Sequence, residues 1–280
     1  MIAMKKQIER WVVSALFISA IMLLFTQCEQ SDSVTPDRLQ ASLFSLENGS
    51  ATSVDRCNYL VNTYPEETLA NLEKEALLFM REEEKLARDV YLGLYHQWGS
   101  KIFNNIAQAE QRHMEAVGCL LVRYDLDDPA ADKDAGVFVN TELQGLYTDL
   151  MEKGRESLED ALAVGALIEE VDIEDLESLL GNPEIDNQDV RAVLENLNRG
   201  SRNHLRVFTK NLANSGITYT SQVLSAEQFQ AIITSPQERG PAMNGTCTGQ
   251  QAHKGKGKGA NGQDRNPSGN CDGSGAGRGQ

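Results

Sequence analysis

Glu110-Gln-Arg-His113 lies on a strongly helical stretch, and a lone inward-facing carboxylate, Glu84, precedes it on another helix. Residues three apart on a helix project about 60° apart, so the Glu110 and His113 side chains can reach one ion from the same face. A helical bundle that sets a Glu from one helix beside a Glu-x-x-His from its neighbour is building half of a carboxylate-bridged two-metal site. Where the second half lies depends on the helices that follow.

Helix starts and stops are readable from Thr63 onward. Thr63-Tyr-Pro-Glu66 has the form of a capping box and predicts a first helix to about Gln97, stopped at Gly99. Ser100 predicts a second helix over 101–124, ended by Asp125 to Pro129. Thr141-Glu-Leu-Gln144 opens a shorter one to about Lys153. Ser157 caps a long helix to about Leu180, stopped by Gly181-Asn-Pro183, and Asp186 caps another over 187–214, closed by Gly216. Ser225-Ala-Glu-Gln228 opens a last short helix. With almost no alternating strand pattern, the expected fold is all-α: an antiparallel four-helix bundle, with a long crossover carrying its own short helix and an extra short C-terminal helix.

Apolar spacing locates the seams. Leu69, Leu72, Ala76, Met80, Ala87, Val90, Tyr91 and Leu94 mark the inner stripe of the first helix, with Glu83 and Glu84 near its middle. Phe103, Ile106, Glu110, His113, Val117 and Leu121 trace the second. In the third, Leu162, Gly165, Glu169, Asp172 and Leu176 place two carboxylates three apart in an apolar seam. In the fourth, Val190, Val193, Leu197, Ser201, His204 and Phe208 lie inward, so the second Glu-x-x-His position reads Ser201-Arg-Asn-His204. A seam carboxylate needs a partner, because an unpaired buried charge costs several kcal/mol. Glu83 and Glu170 are read as solvated neighbours of Glu84 and Glu169, and His96 as a surface residue.

EEEKLARDVY followed by IFNNIAQAEQRHM resembles the first helix pair of rubrerythrins in the ferritin-like superfamily. The span from about residue 66 to 234 also resembles the ferritin-like domain family of unknown function numbered 2202 (DUF2202). The resemblance implies metal ligands Glu84, Glu110 and His113 on the first pair. On the second it implies Glu169 and His204, with Asp172 as the additional carboxylate. Ser201 stands where the family places a Glu. Tyr91 takes the position of a tyrosine beside the metals and is the candidate catalytic side chain, read first as a hydrogen-bond donor to a ligand. A carboxylate and imidazole set suits iron, as a di-iron pair, or manganese; zinc also fits an N/O site. The resemblance further implies oxidase, ferroxidase or peroxidase chemistry on O₂ or peroxide. No CxxC is present to build a rubredoxin centre, so reducing equivalents would come from an external electron donor. Two other readings remain: a non-catalytic module that binds or sequesters metal, and a structural bundle whose core carboxylates are ion-paired.

The rest of the chain frames this bundle. Lys5, Lys6 and Arg10, the apolar run WVVSALFISAIMLLF and then Thr26-Gln27-Cys28 read as an export signal over 1–27. The pattern resembles a bacterial lipoprotein signal, with Cys28 as the lipidated residue that anchors the chain to a membrane of the cell envelope. Gln27 departs from the small residue usual there, so ordinary secretion and an uncleaved anchor remain alternatives. Residues 28–55 read as a flexible linker, 56–235 as the bundle, and 236–280 as a disordered Gly/Lys-rich tail. Cys247 and Cys271 in that tail either pair or stay free, and Cys119 is read as a small buried apolar residue. The net charge of −15 is concentrated between two basic ends, which disfavours a nucleic-acid partner.

Overall fold

The computed structural model describes residues 53–238, and these form seven helices and no strand. In chain order they are α1 (Ser53–Thr63), α2 (Asn71–Trp98), α3 (Lys101–Arg123), α4 (Thr141–Gly154), α5 (Leu158–Leu180), α6 (Gln188–Asn214) and α7 (Ala226–Thr234). The signal-like 1–27, Cys28, most of the 28–55 linker and the tail with Cys247 and Cys271 lie outside the described residues. Among the described residues no helix is long and apolar enough to cross a membrane.

Four long helices make the body. α2 and α3 are joined by Gly99 and Ser100; Gly99 takes the left-handed φ of 66° that glycine adopts without strain, and its N–H closes α2 on Tyr95 O at 2.8 Å. The turn is so short that the two helices must run antiparallel. Contacts give the remaining directions. Glu84 meets His113 while Tyr91 meets Phe103, and Glu169 meets His204 while Gly165 meets Phe208. Glu110 meets His204 while Phe103 meets Phe208. Both sequential pairs and the α3–α6 pair are therefore antiparallel, and α3 and α5 point the same way. The 124–157 connection, with α4 inside it, returns the chain along the bundle to make that possible.

The apolar core is in two parts. Around one end pack Tyr91, Leu94, Phe103, Leu162, Phe208 and their neighbours; around the other pack Leu77, Met80, Val117, Leu120, Leu176 and Leu194. Between them runs a band of buried polar side chains: Glu83, Glu84, Glu110, His113, Glu169, Asp172 and Ser201.

The capping box at Thr63–Glu66 does not open α2. Residues 53–63 form a separate helix, and α2 begins at Asn71, where Glu73 reaches back to the Ala70 N–H at 2.9 Å. The other oxygen of Glu73 accepts from the Asp186 and Asn187 N–H groups at 3.1 and 2.9 Å, so one buried carboxylate serves the free N–H groups at the starts of both α2 and α6. Asn187 rather than Asp186 is the N-cap of α6, and Asn140 rather than Thr141 caps α4, accepting from Glu142 and Leu143. The starts of α3, α5 and α7 fall where the sequence places them.

Cys119 is not a lone apolar residue: it forms a disulfide with Cys57, with the Cα atoms 5.2 Å apart, which ties α1 to α3. The middle of α2 departs from an amphipathic pattern, since Glu82 through Ala87 are all buried. The 134–140 segment covers the outer face. Lys85 Nζ bonds Asp89 at 2.6 Å and Asp134 O at 2.8 Å, Asp89 accepts from Gly136 N–H, and Glu82 accepts from the Val139 and Asn140 N–H groups.

Candidate metal centre

The polar band holds two groups of three ligand atoms, each group within 4.8 Å of one another: Glu84, Glu110 and His113, and Glu110, Glu169 and His204. That span suits ligands about 2.0–2.4 Å from a shared ion. Glu110 belongs to both groups. Its Oε2 lies 2.7 Å from His113 Nδ1, and its Oε1 lies 2.8 Å from His204 Nδ1. Glu84 Oε2 completes the first group 3.1 Å from His113 Nδ1, and Glu169 Oε2 the second, 3.5 Å from His204 Nδ1. The imidazoles stack with ring centroids 5.8 Å apart.

Each position follows from helix geometry. The i, i+3 spacing on α3 puts Glu110 and His113 on one face, and the antiparallel crossings deliver Glu84, Glu169 and His204 from α2, α5 and α6. Glu84, Glu110 and Glu169 are fully buried, and His204 keeps 12% of its side chain exposed. Tyr91 donates to Glu169 Oε1 at 2.5 Å, and its ring is packed against Phe103 and Phe208. Gly165 admits Phe208, whose ring would meet a Cβ there at 2.4 Å. Gly200 admits His113, whose Cε1 and Nε2 would lie 2.5 and 2.6 Å from a Cβ.

The protein groups do not satisfy one another. Glu84 Oε1, Glu169 Oε2 and both oxygens of Asp172 are buried without a hydrogen-bond partner. Glu110 Oε1 and His204 Nδ1 touch at 2.8 Å, yet neither has a hydrogen bond: the contact is close but out of line. Four buried carboxyl groups, Glu84, Glu110, Glu169 and Asp172, face two imidazoles, so with every carboxyl ionised the band would be short of positive charge even with both rings protonated. Burial alone would lower the His113 pKa, but Glu84 and then Glu110 outweigh it and raise it to about 9. For His204, Glu110 and Glu169 likewise overcome burial. Glu110 moves the other way: burial would raise it, and His204 and His113 hold it low. Asp172 is pushed well up by burial and by the charges of Glu83, Glu84, Glu169 and Glu110. Buried oxygens without partners, carboxyl groups whose protons a cation would displace and a carboxylate–imidazole donor set all fit divalent metal ions.

The structure brings Glu84, Glu110, His113, Glu169 and His204 together. Asp172 is beside them but belongs to neither group of three, and Tyr91 touches a ligand rather than the site's centre. Ser201 is buried, its hydroxyl donating to Leu197 O at 3.1 Å, so α6 contributes one ligand where α3 contributes two. His96 is exposed. Glu83 and Glu170 are not solvated: both are buried. Glu170 accepts from Tyr219, Ser221 and the N–H groups of Gln222, Val223 and Leu224. The chain after α6 folds over that side of α5, which no periodicity within α5 reveals. Gly200 carried a signal, a glycine inside an otherwise periodic helix, that points to close approach.

Residues 73–236 match the family described as Uncharacterized protein domain (DUF2202). Over 180 residues the chain is 49% identical to uncharacterized protein MJ0754 of Methanocaldococcus jannaschii, spanning 64% of this chain and 96% of that one. The crystal structure of hypothetical protein MJ0754 has a TM-score of 0.61 to it, over 63% of this chain and 99% of that chain. The match covers every residue of the candidate centre, and the chain belongs to the DUF2202 family.

Proposed function

We propose that this protein is a ferritin-like two-metal protein, with iron the first-choice ion and manganese or zinc as alternatives. The observation that carries the proposal is Glu110, whose two oxygens each face a different histidine in a different group of three possible ligands. A single buried carboxylate shared this way would serve both ions. In this reading Glu84 and His113 would hold one ion, Glu169 and His204 would hold the other, and Asp172 would supply a further oxygen. The order of helix directions, with a long crossover between two antiparallel pairs, supports the ferritin-like assignment.

Bound iron would supply one-electron redox chemistry toward O₂ or peroxide, of the oxidase, ferroxidase or peroxidase type, with an external electron donor. The chain's own groups set the conditions for it. Tyr91 fixes the orientation of Glu169 through its 2.5 Å hydrogen bond and holds its proton, because burial and Glu169 raise the phenol well above its ordinary pKa. Phe103 and Phe208 pack around Tyr91 and keep water from that end. His204, with 12% of its side chain exposed, and His113 beside Gly200 form the side nearest the surface.

Metal analysis of the purified full chain tests the reading. Two equivalents of Fe²⁺ or Mn²⁺ are expected for the native protein and for His96→Ala, about one for His113→Ala, and neither held tightly by Glu110→Ala. Equal content in all four removes the site. Mixing the ferrous protein with O₂ or peroxide then separates redox chemistry from storage: no rise in ferric absorbance leaves a binding module. The proposal includes export and a lipid on Cys28. The Cys57–Cys119 disulfide supports an oxidising compartment. Mass spectrometry of the membrane fraction should find acylated Cys28; full-length unmodified chain in the cytosol would reject it.

A further inference from the structure

The two halves of the candidate centre repeat one plan. Glu84 on α2 answers to Glu169 on α5, and His113 on α3 to His204 on α6. Glu110 stands three residues before His113; three residues before His204 stands Ser201. Ser201 is 1% exposed, and its hydroxyl donates to Leu197 O at 3.1 Å within its own helix. A hydroxyl turned back on its helix does not replace a carboxylate aimed at the seam.

The remaining donors widen the difference. Glu84 sets Oε2 3.1 Å from His113 Nδ1 and leaves Oε1 buried without a partner, so both oxygens are open to one ion. Glu169 spends Oε1 on the Tyr91 hydroxyl at 2.5 Å; its unpartnered oxygen is Oε2, 3.5 Å from His204 Nδ1. Asp172 adds to the first half: beyond its own burial, the charges acting on it are led by Glu83 and Glu84 of α2, ahead of Glu169 on its own helix. The Glu84–His113 side therefore has more carboxylate oxygen than the Glu169–His204 side. Exposure runs the other way, 12% for the His204 side chain against 7% for His113. An ion short of protein donors fills its sphere from outside, whereas one surrounded by protein does not.

We propose that the ion held by Glu169 and His204 is the one that binds external substrate, a small oxygen-donor anion of the peroxide kind, and that the ion held by Glu84 and His113 is closed to it. This rests on the two-metal reading of the centre. Fewer carboxylates face the second ion, so it keeps more of its positive charge and attracts an anion where its neighbour does not. The side chains of Glu84, Glu110 and Glu169 are at most 1% exposed, and Phe103 and Phe208 close the Tyr91 end. Only a small ligand fits such a site, and it meets the ion on the side where His204 is exposed. Ligand exchange is the only bond change, and no electron moves in this step.

The test uses the full chain stripped of metal, Co²⁺ as the probe ion and azide as the probe anion, because the visible absorption of Co²⁺ reports how many ligands surround it. The native protein should take up two equivalents, the second about tenfold more weakly, and azide should change the absorption of the second alone. His204→Ala should lose that equivalent and the azide response together; His113→Ala should lose the tight one and keep the response. Ser201→Glu should tighten the weak equivalent by about tenfold and abolish the response. Ser201→Ala should match the native protein, since the hydroxyl serves Leu197 O. Circular dichroism and thermal melting check that each variant folds; should Ser201→Glu not fold, the two histidine variants decide. Two equivalents of equal affinity, no azide response in the native protein, or a response that survives His204→Ala overturns the proposal and leaves the two-metal centre standing. So does a folded Ser201→Glu that still answers azide, or loss of the weak equivalent in Ser201→Ala, which would make the hydroxyl a ligand. Absence of tight Co²⁺ uptake by the native protein overturns the two-metal reading itself.

Discussion

His113 is placed by residues of three helices: Glu110 on its own helix, Glu84 on α2 and the bare Cα of Gly200 on α6. The glycine is costly as helix, since alanine there would favour the helical state by about 1 kcal/mol. What opposes that gain is the imidazole, which already occupies the volume of a methyl group. Gly200→Ala should therefore leave the helix content unchanged while turning His113 out of line, lowering Mn²⁺ affinity by about tenfold, in the range found when groups supporting a ligand are altered. Isothermal titration measures it, and native affinity in the variant would show that the ring is not held by this contact. Gly165 plays the same part toward Phe208, but for packing rather than ligation.

At the scale of elements, buried carboxylates act as fasteners. Glu82 fastens the crossover ahead of α4, Glu73 joins the starts of α2 and α6, and Glu170 gathers residues 219–224 against α5. Five groups donate to Glu170, and hydrogen bonds to a charged acceptor are worth about 1.5–3 kcal/mol each when an orphaned donor results. Glu170→Ala should cost about 3 kcal/mol or more in denaturant unfolding, and amide exchange in α7 should speed up before that in α2. A loss below about 1 kcal/mol would mean that the segment is held by Phe229 and Ile232 packing alone. None of these fasteners is legible in a helix's own periodicity, because apart from the local Ala70 N–H at Glu73 the donors come from segments distant in sequence. The starts of α5 and α7 were legible for the opposite reason: Ser157 and Ser225 cap N–H groups only three residues away.

For the whole molecule, the polar band couples stability to protons and to metal. In the metal-free protein the His113 ion pair contributes fully below the ordinary imidazole pKa of about 6.5, and that contribution is lost as pH rises through about 9. Burial raises Glu84 to about 8, against the pull of His113, so deprotonation over the same window leaves more uncompensated negative charge inside. A divalent ion takes the place of those protons. The rise in melting temperature on adding Mn²⁺ should grow between about pH 6.5 and 9, and metal uptake in weak buffer should release protons. An Mn²⁺ effect that is flat or falls across that window would show that the ion does not displace the His113 proton.

The chain alone determined the starts of α3, α5 and α7, the inward phase of Glu84, Glu110, His113, Glu169 and His204, and the break at Ser201, because capping and 3.6-residue periodicity are short-range properties. Only the tertiary structure decided that α3 and α5 run the same way, and that Cys57 reaches Cys119. Likewise, it buried Glu83 and Glu170, which the sequence alone reads as solvated neighbours of Glu84 and Glu169. Those outcomes depend on which distant segment covers which face. The same holds for Glu110: the spacing places it on the seam, but that its two oxygens face two different histidines is settled only where four helices cross.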